Sequence, residues 1–325
     1  MSATFYSRRL SSNQHMSELL TNLGAAVLLT PEELSRLIRS APHRYKTYPI
    51  PKRKAGEFRI IAQPAREVKA LQYWVMQNVL NRFAVHPAAT GYREGLNIAD
   101  NARRHVNSRF LLKLDFKDFF PSIKSYDFRR YIEKHAPEFN DEEVEALSRI
   151  LFWKPRGMND MRLSIGAPSS PLLSNIILRD FDDRIAEFCS GVEVSYTRYA
   201  DDLSFSADAS EKLRLVEEMV NRLSGSLESP RLTLNTEKTV RVSKKRARRV
   251  TGLILTNDAK VSIGRVHKRR VRAAVNYFVS GRLPRDQCAQ LRGMLAFVKS
   301  VEPEFLNRLR NHYGTDVIRK ILNAT

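Results

Sequence analysis

The sequence predicts an α+β protein built on an antiparallel sheet with helices on one face. Two patterns carry this. Between residues 110 and 241 the order is strand, helices, β-hairpin, helix, strand, which suits a sheet covered from one side. After residue 264 the pattern is helical to the last residue. Hydrophobic residues make up 42% of the 325, enough to fill cores in one large or two to three small domains. That excludes a disordered chain, whose charge comes with few apolar residues.

The elements follow in order. Arg8 and Arg9 precede an apolar stretch, as in a signal peptide, but Leu19 to Leu29 is broken by Asn22 and flanked by Glu18. It reads as a helix of the mature protein. Thr30-Pro31-Glu32-Glu33 is a capping box with proline at the first helical position. Residues 45 to 64 are strand-like and turn-rich around Gly56, as in a hairpin. Val68, Leu71, Trp74, Val75, Val79 and Phe83 give helical periodicity over 66 to 84. Phe110 to Leu114 is a short buried strand ending at Asp115, and Asn140 caps a helix with Glu143 three residues on. Residues 168 to 185 read as one helix. Strands 192–199 and 203–207 flank Ala200-Asp201-Asp202, followed by a helix over 210–223 and a strand over 231–241.

The chain is strongly basic, with 55 Lys and Arg against 35 Asp and Glu and a formal net charge of +20. Residues 241 to 272 hold twelve Lys and Arg and only Asp258, a net of +11, leaving +9 for the other 293 residues. That run includes Lys244, Lys245, Arg246, Arg248, Arg249, Lys268, Arg269, Arg270 and Arg272. It is interleaved with Val250, Leu253, Ile254, Val261 and Ile263, so it belongs to folded structure. A basic surface on folded elements reads as a phosphate-backbone contact, with nucleic acid ahead of other partners; a solvated face or a localisation signal is the plain alternative. Two cysteines, Cys189 and Cys288, exclude a disulfide framework and a four-cysteine zinc site. No uncharged apolar stretch is long enough to span a membrane.

Three acids stand out by context. Asp115 closes an apolar strand, and Asp201 and Asp202 sit at a turn between two strands. Carboxylates beside a hydrophobic core are costly unless neutralised. Adjacent acids also repel. Mg²⁺, which takes carboxylates and substrate phosphates as ligands, resolves both costs. Two such ions suit an in-line phosphoryl displacement. An Asx turn and a strand-end cap are the plain alternatives.

Tyr199-Ala200-Asp201-Asp202 and its surroundings resemble reverse transcriptases of the retron type. Leu114-Asp115-Phe116-Lys117-Asp118-Phe119-Phe120-Pro121-Ser122-Ile123 resembles their first catalytic motif. Gly166-Ala167-Pro168-Ser169-Ser170-Pro171, continuing to Leu173 and Asn175, resembles their template-and-nucleotide helix motif. Leu232 to Thr239 resembles the strand that carries a lysine. Asn101-Ala102-Arg103-Arg104-His105 matches the retron Asn-Ala-x-x-His element, and Val250-Thr251-Gly252 their Val-Thr-Gly triplet. Leu291-Arg292-Gly293 is also retron-like. The pieces stand in family order over about residues 45 to 310. Ile165 departs from the pattern, because the family commonly has glutamine there; the metal ligands are untouched.

The resemblance implies a right-hand polymerase with fingers, a palm with a ferredoxin-like antiparallel sheet, and a helical thumb. Residues 1–44 would be an N-terminal helical extension, and 45–109 with 124–191 the fingers and their connections to the palm. Residues 110–123 with 192–241 would form the palm core, and 242–325 the palm–thumb strands and basic thumb. Asp115, Asp201 and Asp202 would bind two Mg²⁺, with the Phe116 carbonyl as a further ligand. Phe120 would be the aromatic gate that rejects a ribose 2′-OH, although Phe119 or Phe120 must be core. Arg59 would lie over the incoming triphosphate, with Lys52 or Lys54 as a second charge. Lys238 would protonate or stabilise pyrophosphate, or be a solvated strand lysine. Asn101 and His105 would contact RNA or shape its binding site. Val250, Thr251, Gly252, Lys268, Arg269 and Arg272 would belong to the RNA-gripping region.

The implied reaction is RNA-directed DNA synthesis from dNTPs on the protein's own structured non-coding RNA (msr-msd). It is primed by a guanosine 2′-OH and yields branched msDNA in the bacterial cytoplasm. The length leaves little beyond fingers, palm and thumb, so template removal would fall to host RNase H. The family is associated with anti-phage defence together with an effector protein. The competing readings are a group II intron-like or other mobile-element reverse transcriptase, and a non-catalytic RNA-binding regulator with a polymerase fold.

Overall fold

The computed structural model describes residues 17–52, 56–226 and 229–323. Along the chain run α1 (Glu18–Ala26), α2 (Pro31–Ser40), β1 (Tyr45–Pro51), β2 (Phe58–Pro64), α3 (Arg66–Asn78) and α4 (Ile98–Arg103). Then follow β3 (Phe110–Asp115), α5 (Phe119–Ser122), α6 (Ser125–His135), α7 (Asp141–Leu151), α8 (Ser170–Ile177) and α9 (Arg179–Gly191). The strands β4 (Ser195–Tyr199) and β5 (Asp202–Ala207) precede α10 (Ser210–Ser226) and β6 (Val240–Ser243). The remainder is β7 (Arg248–Val250), β8 (Leu253–Leu255), β9 (Val261–Ser262), α11 (Arg265–Val279), α12 (Arg285–Val301), α13 (Pro303–Tyr313) and α14 (Thr315–Asn323). Among the described residues no helix is long and apolar enough to cross a membrane.

The chain divides into two units. The first comprises residues 1–82 with 124–170. Here the Thr30 capping box forms as read, its hydroxyl accepting from Glu33 N while the Glu33 carboxylate accepts from Thr30 N. Asn140 and Glu143 do the same at α7. β1 and β2 pair antiparallel from Tyr45↔Pro64 to Pro51↔Phe58. α3 stops at Asn78, short of the expected residue 84, and a 3₁₀ turn covers Leu80–Arg82. Asparagine competes for backbone partners in a helix, and the Asn78 amide donates to the Trp74 carbonyl at 2.9 Å.

The second unit comprises residues 83–123 with 171–325. Its main sheet is antiparallel in the order β4-β5-β3-β6. Packed on it are α9 and α10, whereas β7, β8 and β9 make a separate three-stranded sheet. α4 packs on that small sheet, and α11 to α14 share its core. The helix read over 168–185 is instead two helices bent at Leu178. Backbone bonds continue through the bend, Leu178 N to Ser174 O and Asp182 N to Leu178 O. The strand read over 231–241 is broken. Leu234 bridges Phe116, Thr236–Lys238 forms a 3₁₀ turn, and β6 starts only at Val240.

Candidate active site

The site lies wholly in the second unit, at one end of the main sheet. In a strand, alternate residues face one side. On β3 that places Lys113 and Asp115 together, and the register sets Lys113 opposite Ser204 and Asp115 opposite Asp202. β4 and β5 are joined by the two-residue turn Ala200–Asp201, with Tyr199 opposite Asp202. Ala200 takes a left-handed backbone, φ +56°, which is costly for any residue with a Cβ. Phe116 N donates to the Asp201 carbonyl at 3.0 Å, joining the two acid-bearing segments through the main chain.

A buried network lies behind the turn. Arg198 and Asp182 are both fully buried and paired, Nη2 to Oδ2 at 2.5 Å and Nε to Oδ1 at 2.8 Å. Tyr196 OH also donates to Asp182, at 2.7 Å. The other Arg198 nitrogen, Nη1, donates to Asn175 Oδ1 at 3.0 Å and to the Ala200 carbonyl at 3.3 Å. Asn175 in turn donates to the Gly91 carbonyl at 2.9 Å. The bend at Leu178 brings Asn175 and Asp182 to the same guanidinium. Gly91 lies so close to the turn that a Cβ on it would meet Ala200 N at 3.1 Å. Of the side chains in this set the sequence singles out only Asn175; burial of an arginine leaves no local signal.

Two lysines pair with two of the three acids. Lys113 Nζ lies 2.6 Å from Asp202 Oδ2, and Lys238 Nζ lies 2.7 Å from Asp115 Oδ1. The 3₁₀ turn that breaks the expected strand is what brings Lys238 there. Lys113 was not singled out in the sequence; its position two residues before Asp115 was the available signal. Burial, with added repulsion from Asp115 and Asp201, raises the Asp202 carboxyl above the usual range despite Lys113. Among the described residues, no three His, Cys, Asp or Glu side chains already converge as a metal cage. The donor set nevertheless fits a hard divalent cation, because it offers carboxylate oxygens whose repulsion is only partly relieved by the two ammonium groups.

The other sequence candidates sort by burial. Phe119 is core at 4% exposure, while Phe120 is half-buried and its ring lies 6.5 Å from that of Tyr92. Tyr92, exposed and at φ +60°, also lies 5.8 Å from the Tyr199 ring. The Phe116 ring is buried against Phe119 and Phe181. Arg59 is on β2 of the first unit, exposed and opposite Ile50. Lys52 pairs with Glu57 across the same hairpin, and Lys54 lies outside the described residues.

Several RNA-contact candidates need correction. His105 is fully buried and Asn101 is 1% exposed, so of their two expected roles only shaping remains. His105 binds the Ser206 hydroxyl through Nδ1 at 2.8 Å and the Thr197 hydroxyl through Nε2 at 2.7 Å. Burial, then the nearby Arg104, pushes its pKa down to about 3. Val250 is fully buried and is not a surface contact. Its neighbour Thr251 donates to the Ile98 carbonyl at the start of α4. The two signatures therefore share one strut: α4 is tied to the small sheet at one end, and His105 just beyond it is tied to β4 and β5. Gly252 is exposed, as are Arg269 and Arg272 on α11. Lys268 is largely withdrawn, its Nζ 2.6 Å from Glu302. Arg248 is buried and donates to the Ser108 and Thr256 carbonyls.

Comparison with known proteins completes the picture. The family model for reverse transcriptase (RNA-dependent DNA polymerase) matches residues 50–255. The Retron Ec83 reverse transcriptase of Escherichia coli is 39% identical over 288 residues, covering 88% of this chain and 92% of that one. The Retron Ec86 enzyme of the same organism is 31% identical over 309 residues, covering 93% and 92%. The Retron Mx65 enzyme of Myxococcus xanthus is 33% identical over 285 residues, covering 83% and 64%. A carboxylate pair registered across two central strands, a third acid in the turn that leads into one of them from β4, and similarity along nearly the whole chain lead to one conclusion: this protein belongs to the retron reverse transcriptases and is an RNA-directed DNA polymerase.

Proposed function

We propose that the chain copies part of its own structured non-coding RNA, starting from the 2′-OH of a specific guanosine, and so makes a branched RNA–DNA product. The pairing of Asp115 with Asp202, with Asp201 in the adjoining turn, supports the polymerase chemistry, and kinship with retron enzymes supports the choice of RNA and primer. Asp115, Asp201 and Asp202 would hold two Mg²⁺, with the Phe116 carbonyl as a further oxygen. Bound there, the ions would activate the primer hydroxyl and neutralise the triphosphate. The residues do the rest. Lys113 and Lys238 give up their carboxylate partners as substrate arrives, and Lys238 then protonates the leaving pyrophosphate. Phe120, with Tyr92 beside it, rejects a ribose 2′-OH. Arg59 meets the triphosphate of the incoming dNTP.

Residues 110–123 and 192–241 act as palm, the segments 45–109 and 124–191 as fingers, and 242–325 as thumb, with 1–44 an N-terminal extension. Thr251, Gly252, Arg269 and Arg272 serve the RNA side. Host RNase H trims the template in the bacterial cytoplasm, and an effector protein joins the pair in anti-phage defence; kinship with bacterial retron enzymes supports this part.

The test supplies purified protein with RNA transcribed from the DNA flanking its gene, Mg²⁺ and labelled dNTPs. The expected product keeps a 2′-linked ribonucleotide that a debranching enzyme releases, and Asp201→Asn with Asp202→Asn abolishes it. Equal synthesis on any primed RNA, without branching, would favour a mobile-element type. RNA binding without synthesis would favour a regulator.

A further inference from the structure

The cations between residues 241 and 272 do not form one surface. Arg248 turns inward and Lys268 is held by Glu302, while Arg269, Arg270 and Arg272 lie on α11. Arg241, Lys245 and Arg246 instead rim a cavity of about 460 Å³ in the second unit. Phe110, Leu112 and Leu213 form its apolar floor. Phe110 and Leu112 pair with Ser243 and Arg241 across β3 and β6. By strand alternation they face the side of the sheet opposite Lys113 and Asp115. The cavity is therefore separate from the carboxylates, and nothing in the polymerase chemistry uses it.

Its chemistry is specific. Arg214 joins the three cations on the rim, against the single acid Glu217. Glu217 is already committed, accepting from Arg241 Nε at 2.8 Å. The volume lies in the range of small-ligand sites, so it admits one nucleoside but not a duplex. A half-buried phenyl ring suits a base, because stacking tolerates any sequence. Guanidinium groups around it suit phosphate oxygens.

We propose that this cavity is a second nucleic-acid site. It takes one unpaired nucleotide of RNA, base on the Phe110 floor and flanking phosphates on Arg214, Lys245 and Arg246. The proposal rests on RNA being this polymerase's partner. It assigns the cavity to a single-stranded segment, so that RNA is held on the side of the sheet away from the chemistry.

The test uses the full chain and two fluorescein-labelled RNA hairpins, one blunt and one with an eight-nucleotide single-stranded 3′ tail. Lys245→Glu with Arg246→Glu is expected to weaken the tailed hairpin about tenfold or more and the blunt one less than twofold. The salt dependence for the tailed hairpin should become shallower by about 1.4 in log–log slope, for two lost single-strand phosphate contacts. Ser210→Trp, which fills the mouth without changing charge, should weaken the tailed hairpin alone. Incorporation of dNTPs on a short primed RNA is read in parallel and stays intact in Ser210→Trp, so failure of the cavity and failure of the polymerase fall on separate assays. Equal loss for both hairpins, or none, overturns the proposal. So does displacement of the tailed hairpin by an oligoglutamate peptide ending in leucine, which would assign the cavity to an acidic protein segment.

Discussion

His105 makes the stability of the second unit pH-dependent in a calculable way. The ring is fully buried and neutral, bound to two hydroxyls, with its pKa pushed down to about 3. An unfolded chain restores the ordinary value of about 6.5. The unfolded state then binds the extra proton first, so this contribution is complete above about pH 6.5 and is lost as pH falls towards 3. At pH 5 the loss comes to about 2 kcal/mol, from the 1.5 or so units below the unfolded value at about 1.4 kcal/mol each. For a unit of this size that corresponds to roughly 4–8 °C in Tm. The assay is thermal unfolding at pH 7.5 and pH 5 for wild type and His105→Gln. Glutamine keeps a donor and an acceptor but does not titrate. The variant should be less stable at pH 7.5 and show a pH-induced drop smaller by those 4–8 °C. An identical drop in both proteins would refute the reasoning, since carboxylates elsewhere would then carry the whole effect.

Other outcomes follow from the same geometry. Arg198→Met strands a fully buried Asp182 and should cost about 3–5 kcal/mol in chemical denaturation; adding Asp182→Leu should recover part of that. Gly91→Ala forces a Cβ to 3.1 Å from Ala200 N, so dNTP incorporation should fall while stability drops by only about 1–3 kcal/mol. Phe119→Ala should cost about 3–5 kcal/mol by opening the core. Phe120→Ala should spare stability and lower the preference for dNTP over rNTP about tenfold or more in single-nucleotide addition.

Much of this was legible from local patterns. The capping boxes at Thr30 and Asn140 form because the cap and its partner are three residues apart and need nothing else. The hairpin around Ala200-Asp201 was legible because two apolar strands flank a short turn. That each of the three acids sits at a strand end or turn was legible too, whereas their meeting at one sheet end was an expectation of the resemblance and rests on the long-range pairing of β3 with β5.

What escaped was set by contacts far apart in the chain. Thr236–Lys238 curls into a 3₁₀ turn where strand was expected, and so carries Lys238 to Asp115, 123 residues away. Asn101 and His105 read as contacting RNA or shaping its site, and Val250 as part of the RNA-gripping region, yet all three are interior, which leaves only the shaping role. Charge along residues 241–272 read as one grip but divides among a buried arginine, an ion-paired lysine, a helix face and a cavity rim. Residue type and spacing determine which chemistry a chain carries, because pairing, capping and alternation act over a few residues. Whether a given cation or histidine meets solvent is decided only when distant segments pack, since burial belongs to the assembled surroundings and not to the residue.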